Sequence, residues 1–131
     1  MKPDRLLTIA SVSTVLLLSL HLADDIVRGY EKGGLANLTA IPLMVAWLCG
    51  TLVLAGRRSG YVITLLFSLL GVGVPILHFK GAAGVAGGRI AGTSGATFFI
   101  WTLLAMGVTA LLGFLLSAHG LWRGLRSRDA S

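Results

Sequence analysis

The chain has 131 residues, of which 55% are hydrophobic and only 12% charged, with a mean hydropathy of +0.86. Soluble domains carry about 25% charged residues, so this composition excludes a water-borne globular domain and leaves no length for a separate one. The net charge of +6 collects at the ends of apolar runs. It reads as a topology signal touching anionic lipid headgroups, and no nucleic-acid partner is expected for the basic tail at 122–128.

A helix needs about 20 mostly apolar residues to cross a bilayer. Four uncharged runs, at 6–23, 33–56, 59–79 and 90–122, can each supply one. The expectation is an all-α protein, an integral membrane four-helix bundle formed as a single domain over 1–131. Its spans are set at about 6–28, 35–55, 61–79 and 96–119. The first span has the basic start of a secretory signal (Lys2, Arg5), but the nearest small-residue cleavage point, after Ala23, has His21 three places before it, so the helix reads as retained. Its inner half carries Thr8, Ser11, Ser13 and Thr14, hydroxyls that mark a face turned to other helices.

That helix ends in HLADDIVRG, where a histidine, two aspartates and an arginine arrive within nine residues. Thr14, His21, Asp25 and Arg28, spaced by seven, four and three, share one helical face. Asp24 points elsewhere and can pair with Arg28 at i+4. A short loop, 29–34, follows; Tyr30 reads as an interface anchor, and Glu31 and Lys32 as solvated loop charges. A glycosylation sequon at Asn37 lies against the membrane and reads as chance.

The second helix holds Pro42, expected to kink it or weaken its outer end, and Ala46 with Gly50, a small-xxx-small pair for close helix approach. Cys49 is the single cysteine, which excludes disulfide exchange and reads as a small packing residue. Arg57-Arg58-Ser59-Gly60 is predicted to be a short inner hairpin turn making helices two and three antiparallel neighbours. The third helix closes with Gly71, Gly73 and Pro75, which predict an irregular outer half, and with His78. A Gly/Ala-rich outer loop at 81–95 contains Gly87-Gly88-Arg89, a very weak phosphate-loop signal with no strand before it. In the fourth helix Ala110, Gly113, Ser117 and Gly120 form a small-residue stripe, Phe98, Phe99 and Trp101 an outer aromatic belt, and His119 with Trp122 an inner interfacial pair.

Four spans put Lys2, Arg5, Arg57, Arg58, Arg123, Arg126 and Arg128 on one side, against Arg28, Lys32, Lys80 and Arg89 on the other. The positive-inside rule then places both termini in the cytoplasm of a plasma (inner) membrane protein.

Ionisable groups within spans are costly and mark candidate functional sites. His21 and Asp25 sit one turn apart, and His78 is expected at similar depth. Two histidines and a carboxylate suit a transition metal such as zinc or copper; two histidines from separate helices also suit a haem iron. No motif resembles that of a known family. The expected function is a structural or accessory membrane subunit, a homo-oligomer or part of a larger complex, docked through its small-residue seams, with Asp24 and Arg28 in a polar outer cluster. The alternatives are a metal or haem binder at His21, Asp25 and His78, and a small transporter or lipid-handling enzyme with an outward polar cavity.

Overall fold

The computed structural model describes residues 3–31, 33–80 and 92–129. Lys2, Lys32 and Arg89, the Gly87-Gly88-Arg89 signal and most of the glycine-rich outer loop lie outside the described residues, as do the side chains of Lys80 and Arg128. The described chain is helical throughout, with no strand: α1 (Pro3–Val27), α2 (Ala40–Leu48), α3 (Arg58–Lys80) and α4 (Ala96–Asp129). Three of these are long and apolar enough to cross a membrane, over Asp4–Val27, Arg58–Phe79 and Ala96–Arg126. The fourth apolar segment, Asn37–Val53, is shorter. It is a composite, in which a 3-10 turn (Leu35–Thr39) leads into α2 and a π turn (Cys49–Val53) leads out.

Helix α4 is the centre of the packing. It lies against both α1 and α3 along extensive interfaces, while α1 and α3 touch each other little. Glycines make these approaches possible, because a Cβ at Gly107 would meet the Pro75 ring and one at Gly113 the Ser68 hydroxyl. All four helices converge at Gly71, whose Cβ would stand 3.0 Å from Ala110, 3.0 Å from the Trp47 ring and 3.5 Å from Thr14. Ala110 and Ser117 are fully buried, and Gly50 sits against Ile63. Ala46 is half-buried. The small-residue seams are therefore filled by this chain's own helices.

Several local expectations change. Helix α3 runs unbroken to Lys80 with Pro75 inside it. Its glycines and proline serve close packing: the ring that cannot donate a backbone bond is received by the bare backbone of Gly107, across the interface. The inner turn falls earlier than predicted, because Arg58 already belongs to α3. Gly56 takes the positive φ of 74° and Arg57 N–H donates to the Leu54 carbonyl. Gly60 instead sits inside α3, pressed so closely on the Leu54 carbonyl that no side chain fits. Pro42 lies in the first turn of α2, where its missing N–H is tolerated without a kink; the weakened outer end is the 3-10 turn before it. Helix α4 continues ten residues past its predicted end, and Cys49 is exposed rather than packed.

In the π turn, Thr51 bonds the Trp47 carbonyl at 3.0 Å and the buried Ser11 hydroxyl at 2.6 Å, with Thr64 at 3.4 Å. Thr14 similarly donates to Thr109, at 2.9 Å. The π turn seats the α2 segment on α3 and α1 at this level. Above it a cleft of about 290 Å³ remains between α1, α2 and α3, with Leu18, Leu22, Leu43, Met44 and Val74 among its walls.

Candidate metal centre

That cleft is also lined by His21, Asp25 and His78. His21 and Asp25 lie on one face of α1 by their four-residue spacing, and His78 arrives on α3 because that helix stays regular past Pro75. His21 is 2% exposed and Asp25 6%; the His78 side chain is one-third exposed. One ligand atom from each of the three lies within 4.8 Å of the others. The Asp25 Oδ2 is 3.8 Å from His21 Nε2 and 3.9 Å from His78 Nε2.

The hydrogen bonds around the rings determine which nitrogens carry protons. His78 Nδ1 lies 2.9 Å from the Val74 carbonyl, which can only accept, so Nδ1 carries a proton. Thr102 directs its own proton to the Phe99 carbonyl at 3.0 Å. It can then only accept from His21 Nδ1, at a long 3.5 Å. With both rings neutral and protonated at Nδ1, each would turn an Nε2 lone pair toward the Asp25 carboxylate. His21 Nε2 is buried with no hydrogen-bond partner. Two imidazole nitrogens and a carboxylate oxygen converge on one space.

The surroundings hold the rings in place. Phe99 packs on His21 at 4.5 Å and on His78 at 6.0 Å between ring centroids. Two features of the α1 terminus support it from above. Gly29, at φ 71°, closes a Schellman turn in which Gly29 N–H bonds the Ile26 carbonyl and Tyr30 N–H the Asp25 carbonyl. The turn brings Tyr30 back over Phe99, at 6.1 Å. Arg28 bonds Asp24 at 2.7 Å and reaches across to the Ser94 carbonyl, tying the end of α1 to the entry of α4. Asp24 and Arg28 are therefore a clamp beside the site, and the pairing of Arg28 is with Asp24 rather than Asp25.

Phe99, predicted as a lipid-facing belt residue, is fully buried beneath the imidazoles, whereas Phe98 and Trp101 are exposed. Tyr30 faces the core rather than only the interface. Thr102 is not legible in the sequence as a site residue, since one threonine in an apolar run carries no signal until packing places it. Glu31 lines the cleft together with the triad.

The His21 and His78 rings meet edge to face with centroids 5.1 Å apart. Rings in contact leave no gap for a porphyrin plane, so the arrangement suits a bare ion and not haem. Ligands of a tetrahedral zinc stand roughly 3.3 Å apart, from metal–ligand lengths of about 2.0–2.2 Å. Separations of 3.8 and 3.9 Å from the carboxylate, and within 4.8 Å across the set, are wider than that, so an ion would draw the three side chains together. No family model, known protein or solved structure matches the chain.

Proposed function

We infer that this chain is a small integral membrane protein that holds a divalent transition metal between its helices, at His21, Asp25 and His78. The observation that carries the reading is the convergence of two imidazole nitrogens and a carboxylate, His21 and Asp25 both buried, with His21 Nε2 unpartnered. A buried acceptor without a donor costs about 1–3 kcal/mol, and more when charged. A cation on the shared axis removes that cost. A proton is the rival cation, since a protonated imidazole would pair with Asp25 across the 3.8 or 3.9 Å separation, and metal analysis separates the two readings. Two imidazoles and one carboxylate suit zinc or ferrous iron. Copper(I) finds no thiolate among the three donors.

The three long helices and the shorter Asn37–Val53 segment are taken as four passes of a membrane bundle. Arg5, Arg57, Arg58, Arg123 and Arg126 gather at one end and Arg28 stands at the other, which supports both termini lying in the cytoplasm of a plasma membrane protein. The metal then sits toward the outer face. A purely structural subunit docking through Gly113 and its neighbours draws no support from the packing, because those seams are occupied within the chain.

Metal analysis of the detergent-purified protein tests the reading. About one zinc or iron per chain is expected, falling to background in His78→Ala, whose ring is partly exposed and removable without emptying the core. A wild-type chain that stays metal-free after equilibration with zinc and ferrous iron overturns it.

A further inference from the structure

Three ligands from two helices raise two further questions, namely what balances the ion's charge and what fills its remaining position. A divalent cation with Asp25 alone is a net positive charge inside a low-dielectric protein, which is costly to bury. The chain has five acidic residues. Asp24 is neutralised by Arg28, Asp4 is at the opposite end of α1 with Tyr61 and Arg123, and Asp129 ends α4. Glu31 remains.

Its position follows from the turn that ends α1. Gly29 in its left-handed conformation reverses the chain, and the Glu31 N–H bonds the Asp25 carbonyl at 3.2 Å. This backbone bond tethers residue 31 directly over a metal ligand. The Glu31 side chain then lines the same cleft as His21, Asp25 and His78. The Glu31 carboxylate stands outside the group of ligand atoms that lie within 4.8 Å of one another, so its side chain would turn inward on binding.

We propose that Glu31 is the fourth ligand of the ion, delivered by the turn after α1 and closing a neutral two-histidine, two-carboxylate site. This rests on the metal reading of the triad and deepens it. Two carboxylates and one divalent ion sum to zero charge, which favours divalent over monovalent cations. Four protein ligands leave a tetrahedral ion no open position for a substrate, so the site holds or passes the metal itself rather than activating water on it. The loop carboxylate is the ligand exposed at the mouth, so it is the first to meet an entering ion and the first to release it.

The test is a titration of the detergent-purified full chain with cobalt(II), followed by visible absorption and by zinc competition for affinity. It compares wild type with Glu31→Gln, Glu31→Asp and His78→Ala. Ligand-supporting contacts are worth 10–100-fold in metal affinity. Glu31→Gln is expected to weaken binding at least tenfold and to reduce the intense tetrahedral cobalt bands as water replaces the carboxylate, with Glu31→Asp recovering part of both. If Glu31→Gln binds cobalt as wild type does, with an unchanged spectrum, while His78→Ala loses it, Glu31 is no ligand and the triad stands. If wild type binds no cobalt, the triad reading itself fails. Glu31 is an exposed turn residue, so unchanged helicity in the variants is the control for folding.

Discussion

The two halves of this molecule handle buried polarity in opposite ways. Toward the basic end, Ser11, Thr51 and Thr64 form one hydroxyl chain and Thr14 with Thr109 another, and most members also bond a carbonyl of their own helix. A hydroxyl both donates and accepts, so such a layer satisfies itself and acts as helix-to-helix glue. Ser68 and Ser117 are the exceptions, buried without partners. Toward the Arg28 end, His21, Asp25 and His78 face one another without a hydrogen bond that satisfies His21 Nε2. Between the halves Phe99, Leu103 and Met106 form a fully buried apolar block. The lesson is that burial of polar atoms does not by itself mark a site. Convergence of metal-ligating side chains on one space does.

The contrast predicts different consequences when each half is disturbed, and the largest lie at the ligand cluster. Asp25→Asn or His78→Ala is expected to weaken zinc binding at least a hundredfold, read by competition titration; affinity within threefold of wild type would erase the distinction between the halves. Acidification acts in the same direction. Metal ligands must be deprotonated, so zinc should be retained at pH 7.5 and released as pH falls through the imidazole range toward 5, followed by equilibrium dialysis.

Next in size is Gly71→Leu, which forces a side chain into the point where Thr14, Trp47 and Ala110 meet. Overpacking of this kind costs about 1–3 kcal/mol or more. Thermal unfolding in detergent should show it, and an unchanged midpoint would mean that α3 does not approach the other helices this closely.

The hydroxyl layer should respond least. Ser11→Ala with Thr51→Val removes both partners together, and such paired replacement is close to neutral. Stability within about 1 kcal/mol and unchanged zinc affinity are expected. Thr51→Val alone strands Ser11 and should be worse than the pair. A loss of metal binding in the double variant would show that the two halves are coupled.

Much of this architecture is legible in the amino-acid sequence. Uncharged runs of adequate length locate all four helices, and the four-residue spacing of His21 and Asp25 puts them on one face. Connectivity alone sends the end of α3 back toward the end of α1, which brings His78 near. Helix ends are less legible, since they depend on tertiary packing: Pro75 reads as a breaker until Gly107 is found across from it, and Gly60 reads as a turn residue until the Leu54 carbonyl is found against it. Phe99 and Thr102 are hidden for the same reason. They lie in an apolar run whose inward face is set by how α4 packs, a choice that periodicity in a uniformly greasy helix does not mark. Glu31 reads as an ordinary loop charge because the reversal at Gly29, which tethers it over Asp25, is a property of backbone conformation.

X-ray absorption at the zinc edge on the loaded, detergent-purified protein tests the central claim most directly. Two imidazole nitrogens at about 2.0–2.1 Å together with carboxylate oxygen at about 2.0–2.2 Å are predicted, with one histidine shell lost in His78→Ala. A spectrum of oxygen neighbours alone, identical in the two proteins, would contradict it.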